Sequence, residues 1–270
     1  MSGARLFLGI DRPLIGVVHL AALPGAPAHR GGLARVLDRA RSDASDLVAA
    51  GVDALIVENF GDAPFFKEHV PAETVAALTA AALAVGAVVD VPLGINCLRN
   101  DAHAALAVAA ACGAAFVRVN VLTGAMLTDQ GVIEGRAAEV ARLRATLCPR
   151  VQIAADVLVK HAVPLAPMDP GEVTRDTLGR SAADAVIVTG ARTGAGVDDT
   201  FLAAVRSAAG RYPVLLGSGV TATTVAALLP LADGAIVGSA FERGGHAGRV
   251  VDPERAVRLV AAYRRARDTV

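Results

Sequence analysis

Two stretches near the end of the chain decide its fold: Leu215-Leu216-Gly217-Ser218-Gly219-Val220 and Ile236-Val237-Gly238-Ser239-Ala240. Each is an apolar, strand-like run that stops at a glycine-serine turn and is followed by a helical segment. As the last two strands of a parallel barrel, they would bring bare backbone N–H groups together at one end of the sheet. That is where (β/α)8 enzymes commonly hold a phosphate. A phosphate must come within hydrogen-bond distance of the main chain, and glycine has no Cβ to block it. One such turn alone reads as a tight strand-to-helix connection. Two of them, at the seventh and eighth strands, make Gly217, Ser218, Gly219, Gly238 and Ser239 candidate phosphate-binding residues.

Working outward, eight short apolar runs recur, each followed by a segment of helical period. The runs are 14–20, 54–57, 87–91, 115–119, 151–155, 185–188, 214–216 and 235–237. The helical segments are about 33–50, 72–85, 101–111, 134–147, 172–182, 198–209, 222–229 and 253–267. Asp101, Asp198 and Thr221 stand where helix caps belong, and Pro253 where its missing N–H costs nothing. Strands apolar on both faces indicate a parallel sheet covered by helices. Eight units in 270 residues indicate closure, and no GxGxxG follows the first run, as an open dinucleotide-binding sheet would require. The expected fold class is α/β: a (β/α)8 TIM barrel of the phosphate-binding type, one domain spanning residues 1–270.

Composition narrows the function. Apolar residues make up 54% of the chain, enough for a large core, with no Trp and only two Tyr. Nucleic-acid recognition by aromatic stacking is poorly served by that set. The formal net charge is zero, so no surface advertises a polyanion or a membrane. Cys97, Cys112 and Cys148 are too scattered for a disulfide framework or a cysteine zinc site and read as thiols in or near the core. The first residues do not resemble a signal peptide, and no apolar run reaches membrane-spanning length. The expectation is a cytoplasmic protein, a homo-oligomer, with a small phosphorylated ligand and neither nucleic acid nor membrane as partner. Lysine occurs only at Lys67 and Lys160 among 26 basic residues, which favours a chemical role for one of them.

In a barrel of this kind the active site is built at the carboxyl ends of the strands. Those positions carry His19, Glu58, Asn96, Arg118, Asn120, Asp156 and Thr189 before the two glycine-serine turns. A barrel built only for stability has no need of polar groups at nearly every strand end. Asp156 reads as a general base whose proton affinity burial could raise, or as an ion-pair partner. Lys160 could contact Asp156, a substrate phosphate or a carbonyl, with an imine role also conceivable. Glu58 is the second acid–base candidate, or an anchor for the loop after it. His19 is a catalyst or a structural donor. His19, Glu58, Asp156 and His161 together could hold a divalent metal, although no pair has a local ligand spacing. No cofactor is evident.

Three long glycine-bearing loops follow strands: 59–70, 121–133 and 190–197. Long loops at this face are usually functional. The first carries Phe65-Phe66-Lys67 and suits a lid or an interface. The second carries the polar turn Thr128-Asp129-Gln130-Gly131. The third, with Arg192, Thr193 and Gly194, offers amides and a cation to an anion, so Thr193 and Gly194 join the phosphate-binding candidates.

These residues resemble the BtpA/SgcQ family. The matching stretches are Val18-His19-Leu20 through Pro27, Glu58-Asn59-Phe60-Gly61-Asp62-Ala63-Pro64-Phe65, Gly94-Ile95-Asn96-Cys97-Leu98-Arg99-Asn100-Asp101, Arg118-Val119-Asn120-Val121, Thr128-Asp129-Gln130-Gly131, Ala155-Asp156-Val157 with Lys160-His161, and Gly217-Ser218-Gly219-Val220. All fall at strand ends or in the following loops, as an enzyme's signature would. The resemblance implies a phosphate-binding barrel and carries no established reaction. A lyase, isomerase or glycosyl-bond enzyme acting on a sugar phosphate or phosphoribosyl compound is expected, by analogy of fold. The alternative is a non-enzymatic assembly or stability factor, since one family member is named for photosystem I biogenesis.

Overall fold

The computed structural model describes residues 5–190 and 196–270. Along the chain the strands are β1 (Leu14–His19), β2 (Ala54–Glu58), β3 (Leu93–Asn96), β4 (Phe116–Val119), β5 (Ala125–Thr128), β6 (Gly131–Glu134), β7 (Gln152–Val157), β8 (Ala162–Pro164), β9 (Ala185–Val188), β10 (Val214–Leu216) and β11 (Ala235–Val237). The helices are α1 (Gly32–Ala50), α2 (Ala72–Gly86), α3 (Ala102–Cys112), α4 (Ala137–Leu147), α5 (Pro170–Arg175), α6 (Asp199–Ala209), α7 (Val225–Leu228) and α8 (Pro253–Arg267). Eight parallel strands close a barrel in the order β1-β11-β10-β9-β7-β4-β3-β2. The chain is a (β/α)8 TIM barrel.

Two apolar layers hold it. Inside the barrel, Ile15, Val17, Ala54, Ile56, Phe116, Ala154, Ala185, Ile187, Leu215 and Ile236 pack together, with Phe7 joining them from the N-terminal segment. Phe7 meets Phe116 edge-on at 5.2 Å between ring centres. The alternate residues of the strands, such as Val18, Val57, Ile95, Val117, Ala155 and Val188, face the helices and form the larger outer core.

The third strand is not the apolar run 87–91 that hydropathy selects. Residues 87–92 connect α2 to β3, and pairing begins at Leu93, opposite Leu55. β3 reads Leu-Gly-Ile-Asn, so a glycine and an amide hide it. Gly94 is needed because a Cβ there would overlap the ring of Phe116. The loop expected over 121–133 is instead a hairpin, β5 paired with β6 around Asp129-Gln130, and β8 joins it on the other edge. Met126 and Ile133 bury with Val121 and Val159 as a small core of their own. β6 takes Glu134, so α4 starts later than the pattern suggests, at Ala137. Asp169 accepts the N–H of Glu172 at 2.8 Å and starts α5 early, with Pro170 first in the helix. The segment 222–229 yields only the short α7, because Thr224 and Thr221 hydroxyls take up the backbone before it and Pro230 follows it. Asp101 and Asp198 cap α3 and α6. Cys97 and Cys148 are buried and Cys112 half-buried, all free. Among the described residues no helix is long and apolar enough to cross a membrane.

Gly94→Ala should therefore cost about 1–3 kcal/mol by overpacking. A melting curve should drop by several degrees, and Phe116→Leu in the same chain should recover part of the loss. An unchanged melting temperature in the single variant would contradict the packing.

Candidate active site

The inward layer of the barrel continues past its apolar residues with the same two-residue period. Two positions beyond Val17, Ile56, Gly94, Phe116, Ala154, Ile187, Leu215 and Ile236 stand His19, Glu58, Asn96, Arg118, Asp156, Thr189, Gly217 and Gly238. Most of these line the floor of a cavity of about 750 Å³ at the carboxyl end of the barrel. The polar ring is thus the top of the core, and its members must satisfy one another.

Three groups of contacts do so. Arg118 donates Nε and Nη2 to the two carboxylate oxygens of Asp156, both at 2.9 Å, and the pair is buried. Asn120 adds an Nδ2 contact to Asp156 at 3.4 Å, while its own Oδ1 is buried without a partner among the described residues. Asp156 does not line the main cavity, so the geometry favours its ion-pair reading over that of a carboxylate free to take a proton.

The second group runs through His19. Its Nδ1 lies 2.6 Å from Glu242 Oε1, and its Nε2 lies 3.6 Å from Glu58 Oε1. Glu58 accepts Asn96 Nδ2 at 2.5 Å, and Glu242 accepts the Arg249 N–H at 3.1 Å. Phe60 covers the imidazole at 4.5 Å between ring centres. Gly238 makes room for it, since a Cβ there would stand 2.5 Å from His19 Cε1. The Nδ1–H is held by Glu242, so Nε2 is the nitrogen left for Glu58 and the cavity.

The third group is cationic. Lys160 lines the cavity half-buried, and no ion pair or hydrogen bond engages its ammonium among the described residues. Burial, then the neighbouring Arg118, push its pKa down from 10.5 to about 8, against the opposing pull of Glu58 and Asp156. Arg99, only 7% exposed, donates Nη2 to the Lys160 carbonyl at 2.9 Å. Burial lowers its proton affinity too, and that of His161, which also lies beside Lys160.

The glycine-serine turns form another wall of the same cavity: Gly217 to Thr221 and Val237 to Ala240 line it, with Gly245 and Arg255. Gly217 fits because a Cβ would press Ile187 at 2.6 Å, and Gly219 is left-handed at φ +74°. Ser218 Oγ accepts the Gly190 N–H at 2.6 Å. Among the described residues the N–H groups of Gly219, Val220, Ser239 and Ala240 donate to no turn or loop acceptor. Arg255 reaches this wall from the first turn of α8, its Nε 3.2 Å from the Ala240 carbonyl. Thr193 and Gly194 lie outside the described residues.

Two loops frame the mouth. In 59–70, Asn59 bridges to Asp62 and to the backbone of Leu98, and Asp62 accepts the Leu23 N–H at 2.7 Å. Asn59 and Asp62, rather than Glu58, anchor that loop. Phe65 lines the cavity while Phe66 is 58% exposed, so the two aromatics part. The hairpin turn brings Asp129 to the same cavity. Among the described residues no group of three His, Cys, Asp or Glu side chains is arranged to hold a metal ion, and Arg118 already occupies Asp156 in the expected set.

Glu242 and Arg255 carry no motif that marks them in the sequence. Arg99 lies within a family stretch, three residues past Asn96. Glu242 follows its strand by five residues and meets His19 only through barrel closure, and Arg255 sits in a helix.

Solved structures share the fold. The "native KDPGal" structure superposes with a TM-score of 0.60 at 14% identity, covering 98% of both chains. Phosphoribosyl anthranilate isomerase from Thermus thermophilus does so at 0.56 and 14%, covering 93% of this chain and 98% of that one. These are TIM-barrel enzymes, and the likeness is one of fold. The BtpA family model matches residues 10–265, and the chain belongs to the BtpA family. It is 45% identical to the photosystem I biogenesis protein BtpA of Synechocystis, over 93% of this chain and 87% of that protein. It is 44% identical to an uncharacterised protein of Pyrococcus abyssi, over 95% and 98%.

The two lysines allow a clean test of the site's electrostatics. Labelling with an amine-reactive reagent, read by peptide mass spectrometry, should give Lys160 a rate that rises with a midpoint near pH 8, because the deprotonated amine reacts. A Lys160 midpoint near the ordinary 10.4 would contradict the assigned environment.

Proposed function

We propose that this barrel is an enzyme that holds a small phosphorylated metabolite by its phosphate and moves a proton on the substrate. The phosphate lies against the turns after β10 and β11. The observation that carries this reading is that Gly219, Val220, Ser239 and Ala240, whose N–H groups have no turn or loop acceptor among the described residues, line with Arg255 the same cavity as His19 and Glu58. Turn amides and a guanidinium suit a phosphate, and the buried imidazole–carboxylate pair suits proton transfer.

In this reading His19 and Glu58 are the acid–base pair. Glu242 is a positioning residue that keeps Nε2 toward the substrate. Asn96, Asn120, Arg118 and Lys160 stabilise negative charge that develops on a substrate oxygen. Asp156 orients Arg118 and does not itself exchange a proton. Such a set fits an isomerase or lyase that removes a proton beside a carbonyl. It fits a glycosyl-bond enzyme less well, because that chemistry needs two carboxylates flanking the bond, and Glu242 is sealed behind His19. The phosphate-linked names of fold neighbours agree with this class.

A second reading has one observation of its own. Leu127, Val163, Leu165 and Met168 stand exposed on and beside the small sheet, as a platform for another protein would require. It does not compete for the cavity.

Two measurements test the enzyme reading. Calorimetry with inorganic phosphate should give saturable binding that Arg255→Gln weakens by about tenfold, or 1.4 kcal/mol, for one lost charge-assisted contact. Affinity unchanged by that substitution would remove Arg255 from the anion site. A panel of aldose and ketose phosphates in deuterated water, followed by NMR, should show enzyme-dependent deuterium uptake beside the carbonyl. Glu58→Gln should slow that uptake by about 10²–10⁴-fold. Phosphates that bind but exchange no deuterium would contradict the proton-transfer role.

A further inference from the structure

We propose that the substrate carries a second anionic group, a carboxylate or another phosphate, at the end away from its phosphate, and that Arg99 and Lys160 hold it. This rests on the phosphate site above and names the class of molecule that site serves: a phosphorylated sugar acid or a sugar bisphosphate.

The barrel order places the two cationic regions apart. Around the closed ring, β10 faces β3 and β11 faces β4. The glycine-serine turns follow β10 and β11. Arg99 follows β3, so it enters the cavity from the opposite side. Lys160 follows β7, which adjoins β4, and its carbonyl is tied to the Arg99 guanidinium at 2.9 Å. Both line the one cavity.

Charge accounting at that end leaves these two cations without a contacting carboxylate. Asp156 is engaged bidentately by Arg118. Glu58 is shared between Asn96 and His19. Asp129 is exposed at the hairpin turn and its carboxylate accepts from Gln130 at 2.5 Å. It makes no ion pair with Arg99 or Lys160 among the described residues, and solvent weakens its field. Arg99 nevertheless has five N–H donors and, among the described residues, one acceptor for them. None of its nitrogens is both sealed and unpartnered, and the residue lines the cavity. A buried cation without an anion is costly, and a planar guanidinium beside an ammonium fits an oxyanion. A neutral polyol tail would leave both charges uncompensated once it displaced the cavity's water.

Calorimetry on the full chain with matched probes decides the matter. The pairs are 6-phosphogluconate against glucose 6-phosphate, and fructose 1,6-bisphosphate against fructose 6-phosphate. In at least one pair the doubly anionic member should bind about tenfold tighter or more, and which pair responds separates carboxylate from phosphate. Arg99→Gln should erase the preference while leaving affinity for inorganic phosphate unchanged. Lys160→Gln should reduce it in the same way and serves alone should the Arg99 variant not fold. Equal affinities within both pairs would overturn the proposal, as would a preference that survives both substitutions. In those cases inorganic phosphate still binds. Loss of phosphate binding altogether would instead remove the anion site and this proposal with it.

Discussion

The Arg118–Asp156 pair is the interaction on which the site depends. It lies where the apolar filling of the barrel ends, with both side chains buried and two hydrogen bonds between them. A carboxylate and a guanidinium at that depth are tolerated only because each completes the other. Removing one partner of such a pair typically costs about 3–5 kcal/mol. The pair also shapes the electrostatics around it. Burial and then Arg118 push the Lys160 pKa down, and the opposing pull of Glu58 and Asp156 does not restore it. A lysine that loses its proton near pH 8 and is mostly charged at neutral pH, beside an arginine with spare donors, follows from that arrangement.

Around this pair, His19, Glu58, Asn96 and Arg118, the residues given chemical roles in the proposed function, all lie on β strands of the closed ring. The backbone that leaves those strands is held by amide side chains. Asn59 bridges to Leu98, and Asn100 exchanges two hydrogen bonds with Val121 at 2.8 and 2.9 Å. These bonds stitch neighbouring loops together where sheet pairing has ended. Phe65 and the Asp129 turn line the same cavity above these strand ends.

Much of this was legible in the sequence, for a physical reason. Inward positions in a barrel repeat every second residue, so polar groups just past apolar runs mark the floor of the site. His19, Glu58, Arg118 and Asp156 could be picked out on that basis, and Lys160 by the scarcity of lysine in the chain. What could not be read were partnerships made by closure. Nothing near Asp156 in the chain announces Arg118, which is 38 residues away, and Glu242 reaches His19 across 223 residues. The third strand was hidden because Gly94 answers to the ring of Phe116, a constraint imposed by a neighbouring strand. The hairpin of β5 and β6 was hidden because its alternation serves a small local core rather than the barrel.

In the proposed function the two glycine-serine turns and the acid–base ring belong to one ligand site anchored by phosphate. Backbone amide NMR during titration with inorganic phosphate tests it most directly. The N–H signals of Gly219, Val220, Ser239 and Ala240 should move together and saturate with a single dissociation constant, while amides of the distant small sheet stay in place. Saturation with no movement at those four amides, or movement centred elsewhere on the barrel, would contradict the account.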